Sequence, residues 1–145
     1  MKKSDLAPVL LAQLPQLRKA AAMARDNAYA PYSRFTVGAA MLAANGKIYV
    51  GCNVENGAFA PSLCAERGAV AAALADGQRN FLLLAVLGGG VDIPAAQLPL
   101  CYPCGVCRQV LSEFCGEDFP VLVMAGVEAD RLYTLGQLLP YGFKL

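Results

Sequence analysis

The chain has 145 residues, 57% of them hydrophobic and 16% charged, with a formal net charge of +1. That length suits one domain with a real core, expected to span residues 1–145. A charge this close to zero, with no basic stripe, argues against a nucleic-acid polymer as partner. The absence of histidine excludes every mechanism that needs an imidazole base. A zinc site here must be built from thiolates or carboxylates, and acid–base work must fall to Glu, Asp or a perturbed Lys, Tyr or Cys.

The start, MKKSDLAPVLLAQLPQL, places two lysines before an apolar stretch, but Asp5, Gln13, Gln16, Arg18 and Lys19 spoil a signal-peptide core. The first thirty residues read as helix, interrupted near Pro8 and Pro15, with Leu14, Leu17, Ala21 and Ala24 on one face. FTVGAAMLA, then NG at 45–46, then KIYVGC is a hairpin signal around a pair suited to a type I′ turn. CAERGAVAAALADG is an Ala-rich helix, with Gly77 placed to follow its end. NFLLLAVLG is a continuous apolar strand, buried on both faces and too short for a bilayer span. PCGVCRQVLSEFCG is a further helix that Pro103 is placed to open. FPVLVMAG is another strand and TLGQLLP a short closing helix. Strands alternating with helices predict an α/β fold, a three-layer α/β/α sandwich.

LCYPCGVCRQVLSEFC, residues 100–115, holds four of the six cysteines. In a cytoplasmic protein, the expected location, thiols stay reduced, which favours metal binding or burial over a disulfide framework. Cys101, Cys104 and Cys107 step by three, so either CxxC pair is open to a metal, a redox disulfide or plain core packing. A helix opening at Pro103 puts Cys104 and Cys107 one turn apart on the same face, in the first turn. There the helix dipole and free N–H groups favour thiolate. Cys101 lies in the approach and is less well placed. Cys64 is the expected third ligand, because it heads the other helix, where a cap residue is not yet helical. Cys64 and Glu66 then face one point. Three protein ligands leave a fourth position for water, as in catalytic zinc sites. Three thiolates make that site formally −1, and Arg67 is the cation best placed to oppose the charge. Asn53 and Glu55, two apart in extended chain, present their side chains on one side. Cys52, Cys101 and Cys115 read as small apolar fillers.

CAER followed by PCGVCRQ resembles the zinc deaminase signature in its all-cysteine form. PYSRFTVGAA at 31–40, GCNVEN at 51–56 and LLPYGF at 138–143 narrow the resemblance to the small cytidine deaminases. That resemblance implies a mixed, about five-stranded sheet in the three-layer α/β/α sandwich, and hydrolytic deamination of cytidine and 2′-deoxycytidine in pyrimidine salvage, with one zinc per subunit. It implies Cys64, Cys104 and Cys107 as ligands, Glu66 as proton shuttle and Arg67 beside the ligand sulfurs. It further implies Asn53 and Glu55 on the ribose, Phe35 against the pyrimidine, and backbone near Gly57 and Cys104 on the base edge. Phe143 would come from a neighbouring subunit of a homotetramer with shared sites. The chain departs from the family pattern in ENGAF, where the usual segment reads closer to ENAAY, and at Gly68, commonly a bulkier residue. Those departures leave two other readings in view: a deaminase of a modified cytosine nucleoside of the blasticidin type, and a non-catalytic structural-zinc or redox domain.

Overall fold

The computed structural model describes residues 2–127 and 130–144. Four helices and five strands follow in the order α1 (Pro8–Asp26), β1 (Phe35–Ala43), β2 (Ile48–Cys52), α2 (Ala65–Ala75), β3 (Phe81–Gly90), α3 (Gly105–Phe114), β4 (Pro120–Val123), β5 (Arg131–Thr134) and α4 (Leu135–Leu138). The strands form one mixed sheet in the order β2-β1-β3-β4-β5, in which only β3 and β4 run parallel. Side chains alternate across the pleat, so each strand feeds two cores. Ala40 and Leu42 of β1 join Leu83, Ala85 and Leu87 of β3 beneath α1. Ala39 and Met41 join Leu84 and Val86 beneath α2 and α3. The three-layer α/β/α sandwich is thus built as the element pattern predicts.

Four local expectations are corrected. Pro8 opens α1, and Pro15 lies inside it without breaking it. Proline removes one helical hydrogen bond, and the helix continues because Leu17, Ala21 and Ala24 bury one face on the sheet. The hairpin turn is not type I′. Only Gly46 of the Asn-Gly pair adopts positive φ, at 82°, and Ala43 pairs with Lys47 across a three-residue loop. Cys104, rather than Pro103, marks the start of α3. The fifth strand is Arg131–Thr134, a stretch that carries little strand signal of its own.

The end of α2 matches its expectation. Gly77 has φ 75°, its N–H donates to the Leu74 carbonyl, and that of Gln78 donates to Ala73, the Schellman pattern. The start of α2 is fixed by Gly51 in β2. A Cβ there would sit 2.2 Å from the Ala65 carbonyl and 2.4 Å from the Ala69 nitrogen. The helix therefore rests directly on the strand backbone, which anchors its N-terminus beside the sheet.

Candidate metal and catalytic site

Two helices begin with cysteine where a capping oxygen normally stands. Cys64 caps α2 and Cys104 caps α3, both with extended backbone, at φ −80°, ψ 152° and φ −69°, ψ 164°. Neither cap side chain caps the backbone amides of its helix, so both sulfurs can face a common point. Cys107, one turn into α3 and fully buried, completes the group.

The Cys64–Cys104 and Cys104–Cys107 Sγ separations are 3.8 and 3.5 Å, and all three sulfurs lie within 4.8 Å of one another. Tetrahedral zinc with bonds of about 2.3 Å requires sulfurs about 3.8 Å apart. The donor set fits zinc on spacing and on chemistry. Hydrogen bonds from the Cys107 thiol, Arg67 and the Cys104 thiol bring the Cys64 pKa down to about 5. The Cys107 thiol, donating to the Cys64 sulfur and desolvated by burial, is pushed up instead. A first negative charge thus forms readily at Cys64. Among the described residues this group contains those three donors and no fourth.

Glu66, the second residue of α2, is only 4% exposed. Burial raises its pKa above the ordinary carboxyl value, and the Cys64 charge adds to the effect. Arg67 donates from Nη2 to the Ser62 carbonyl at 2.9 Å and approaches the Cys64 sulfur at 3.9 Å. Its Nε is buried without a hydrogen-bond partner among the described residues. The cation expected to oppose the sulfur charge therefore stands against it.

Cys64, Cys104 and Glu66 open onto a cavity of about 320 Å³, lined also by Phe35 and Val37 of β1, Asn53 and Glu55 beyond β2, Ala65 of α2, and Cys101 and Tyr102 before α3, with Ser33; Cys107 lies buried behind it. That volume suits a small molecule. Asn53 and Glu55 share one side, as their spacing requires, and both also brace the cavity wall. Asn53 accepts from the Val37 N–H at 2.7 Å and donates to the Phe35 carbonyl at 2.8 Å. Glu55 accepts from the Tyr32 and Ser33 amides at 2.9 and 3.2 Å. The Ser33 hydroxyl, followed by those amides, holds its carboxyl below the ordinary value.

Two expected site residues lie apart from this cavity. Gly57 belongs to the turn beyond Glu55, near the Tyr32 hydroxyl. Phe143, 66% exposed, lines a separate hollow with Ser112 and Cys115, and its carbonyl accepts from Gln109. Ser33, Val37 and Tyr102 line the cavity without having been singled out in the sequence. Ser33 and Val37 fall inside the PYSRFTVGAA segment, which was the available signal.

An α/β sandwich whose two helix N-termini gather three thiols beside a buried carboxylate has the donor set of a metal site with an acid–base group at hand. The family described as the cytidine and deoxycytidylate deaminase zinc-binding region matches residues 12–123. A cytidine deaminase of Sporosarcina psychrophila is 46% identical over 121 residues, 83% of each chain. One from Mycobacterium tuberculosis is 42% identical over 129 residues, covering 89% of this chain and 88% of its own. The crystal structure of a Burkholderia pseudomallei cytidine deaminase superposes with a TM-score of 0.78 at 40% identity, covering 90% of this chain and 98% of that one. The chain belongs to the cytidine and deoxycytidylate deaminase family.

Proposed function

We propose that this protein hydrolyses the 4-amino group of cytidine and 2′-deoxycytidine, releasing uridine or 2′-deoxyuridine and ammonia. The observation that carries the reading is a three-sulfur group, two of whose members, Cys64 and Cys104, line the same cavity as one buried carboxylate. Cys64, Cys104 and Cys107 would hold one zinc per chain, which supplies a Lewis acid that activates water. Glu66 takes the proton of the attacking water on its carboxylate and delivers it to ring N3, making C4 electrophilic. The same carboxylate passes a second proton to the departing amine. A buried carboxyl with a raised pKa suits a group that must take and give protons near neutrality. Arg67 opposes the sulfur charge, Phe35 stacks on the base, and the free valences of Asn53 and Glu55 hold the sugar hydroxyls.

We further propose a cytoplasmic homotetramer with shared sites acting in pyrimidine salvage, with Phe143 serving a neighbouring site and backbone near Gly57 the base edge. Tyr29, Tyr32 and Phe59 are 57%, 60% and 79% exposed, and Tyr32 and Phe59 lie together around the hollow next to Cys64. Apolar surface so placed supports coverage by a second copy. Among the described residues no helix is long and apolar enough to cross a membrane. The structural-zinc reading lacks a fourth protein ligand in the group.

The test is absorbance-monitored turnover of cytidine and deoxycytidine by protein of measured zinc content. Turnover of both with about one zinc per chain supports the reading. Full zinc occupancy with no turnover of either substrate contradicts it.

A further inference from the structure

Two consecutive polar residues of α3 hold neither the sulfur group nor the cavity. Arg108 donates from Nε to the Pro103 carbonyl and from Nη1 to the Leu138 carbonyl, both at 2.7 Å. Gln109 donates to the Phe143 carbonyl at 3.0 Å, and Lys144 reaches the Cys115 carbonyl at 3.3 Å. The end of α4 and the segment after it are therefore fastened along α3, which Cys104 caps and which carries Cys107.

The Pro103 carbonyl carbon is bonded directly to the Cys104 nitrogen, so the plane it defines, with the Cys104 φ of −69°, sets where the Cys104 side chain points. Packing does less for Cys104 than for its fellow ligand, since Cys104 is exposed and Cys107 buried. Pro103 itself is fully buried, and a carbonyl there requires a partner. A guanidinium supplies two charge-assisted bonds from one rigid plane, which fixes both acceptors relative to each other. We propose that Arg108 is a positioning residue for Cys104, and that the same guanidinium, through the Leu138 carbonyl at the end of α4, links occupation of the metal site to the ordering of residues 139–144 that follow. The proposal rests on the reading that Cys64, Cys104 and Cys107 hold zinc.

The test uses the zinc-loaded full-length chain. Zinc release into a chromophoric chelator is timed for wild type, R108A, R108K and Q109A, and amide exchange of residues 139–144 is followed with zinc present and removed. R108A is expected to release zinc about 10–100-fold faster, the usual scale for a group that orients a ligand. R108K, which keeps the charge and loses the fork, falls between and serves if R108A does not fold. Q109A stays within about twofold of wild type. Zinc removal is expected to speed exchange at Leu139 and Gly142, whose amides are hydrogen-bonded to Leu135 and Leu139, in wild type but not in R108A. Release from R108A and R108K within about twofold of wild type, equal acceleration in Q109A, or tail exchange indifferent to zinc in wild type each overturns the proposal. Failure of the underlying reading is separate: wild type would take up no stoichiometric zinc, or C107A would keep it.

Discussion

Cys101 and Cys107 stand three residues to either side of Cys104, yet only Cys107 joins its sulfur. Cys107 lies one helical turn from Cys104 on the same face, 3.5 Å away. Cys101 precedes the helix and turns onto the sheet, where a Cβ added at Gly88 would meet its sulfur at 2.7 Å. Burial drives its pKa up to about 12, whereas that of Cys64, at a helix start beside Arg67 and two thiols, falls to about 5. Ligand character follows which sulfurs the two helix starts gather, since the buried Cys107 thiol is raised as well, and CxxC spacing alone does not confer it.

Exchanging members of the two groups breaks or sharpens that contrast. C107A is expected to lose most of its zinc and at least ~10³-fold in turnover, while C101A keeps one zinc per chain, both read by metal analysis. Comparable zinc loss in the two would erase the distinction. E66Q is expected to lose about 10²–10⁴-fold in kcat with zinc retained. A smaller loss would show that the buried carboxylate is only a first-turn acid of α2.

The smallest effect is a pH dependence from the non-ligand thiols. Cys101 and Cys115 are both raised to about 12 by burial. From pH 9, where thiols of the unfolded chain ionise, up to about 12, the folded protein holds protons that the unfolded chain releases. Stability is therefore fully present below pH 9 and falls as pH rises toward 12. The urea midpoint of wild type should drop between pH 8 and 10.5, and the C101A/C115A pair should drop less. Identical slopes would contradict burial as the cause.

The sequence shows the site more readily than the strands around it. Cys64, Glu66 and Cys107 were legible because helix starts and one-turn spacing follow from local pattern, and the apolar strands β1, β3 and β4 announce themselves by composition. Arg131–Thr134 did not, since its pairing with Pro120–Val123 is purely tertiary. Pro15 misled because buried packing outweighs one lost hydrogen bond. The bracing of β1 by Asn53, and of the Cys104 approach by Arg108, depends on carbonyls far along the chain, which no local pattern reveals.

X-ray absorption at the zinc edge of the purified protein tests the three-sulfur arrangement most directly. The expected result is three sulfurs near 2.3 Å and one lighter atom near 2.0 Å. Four sulfurs, with Cys101 drawn in as the fourth, would contradict it.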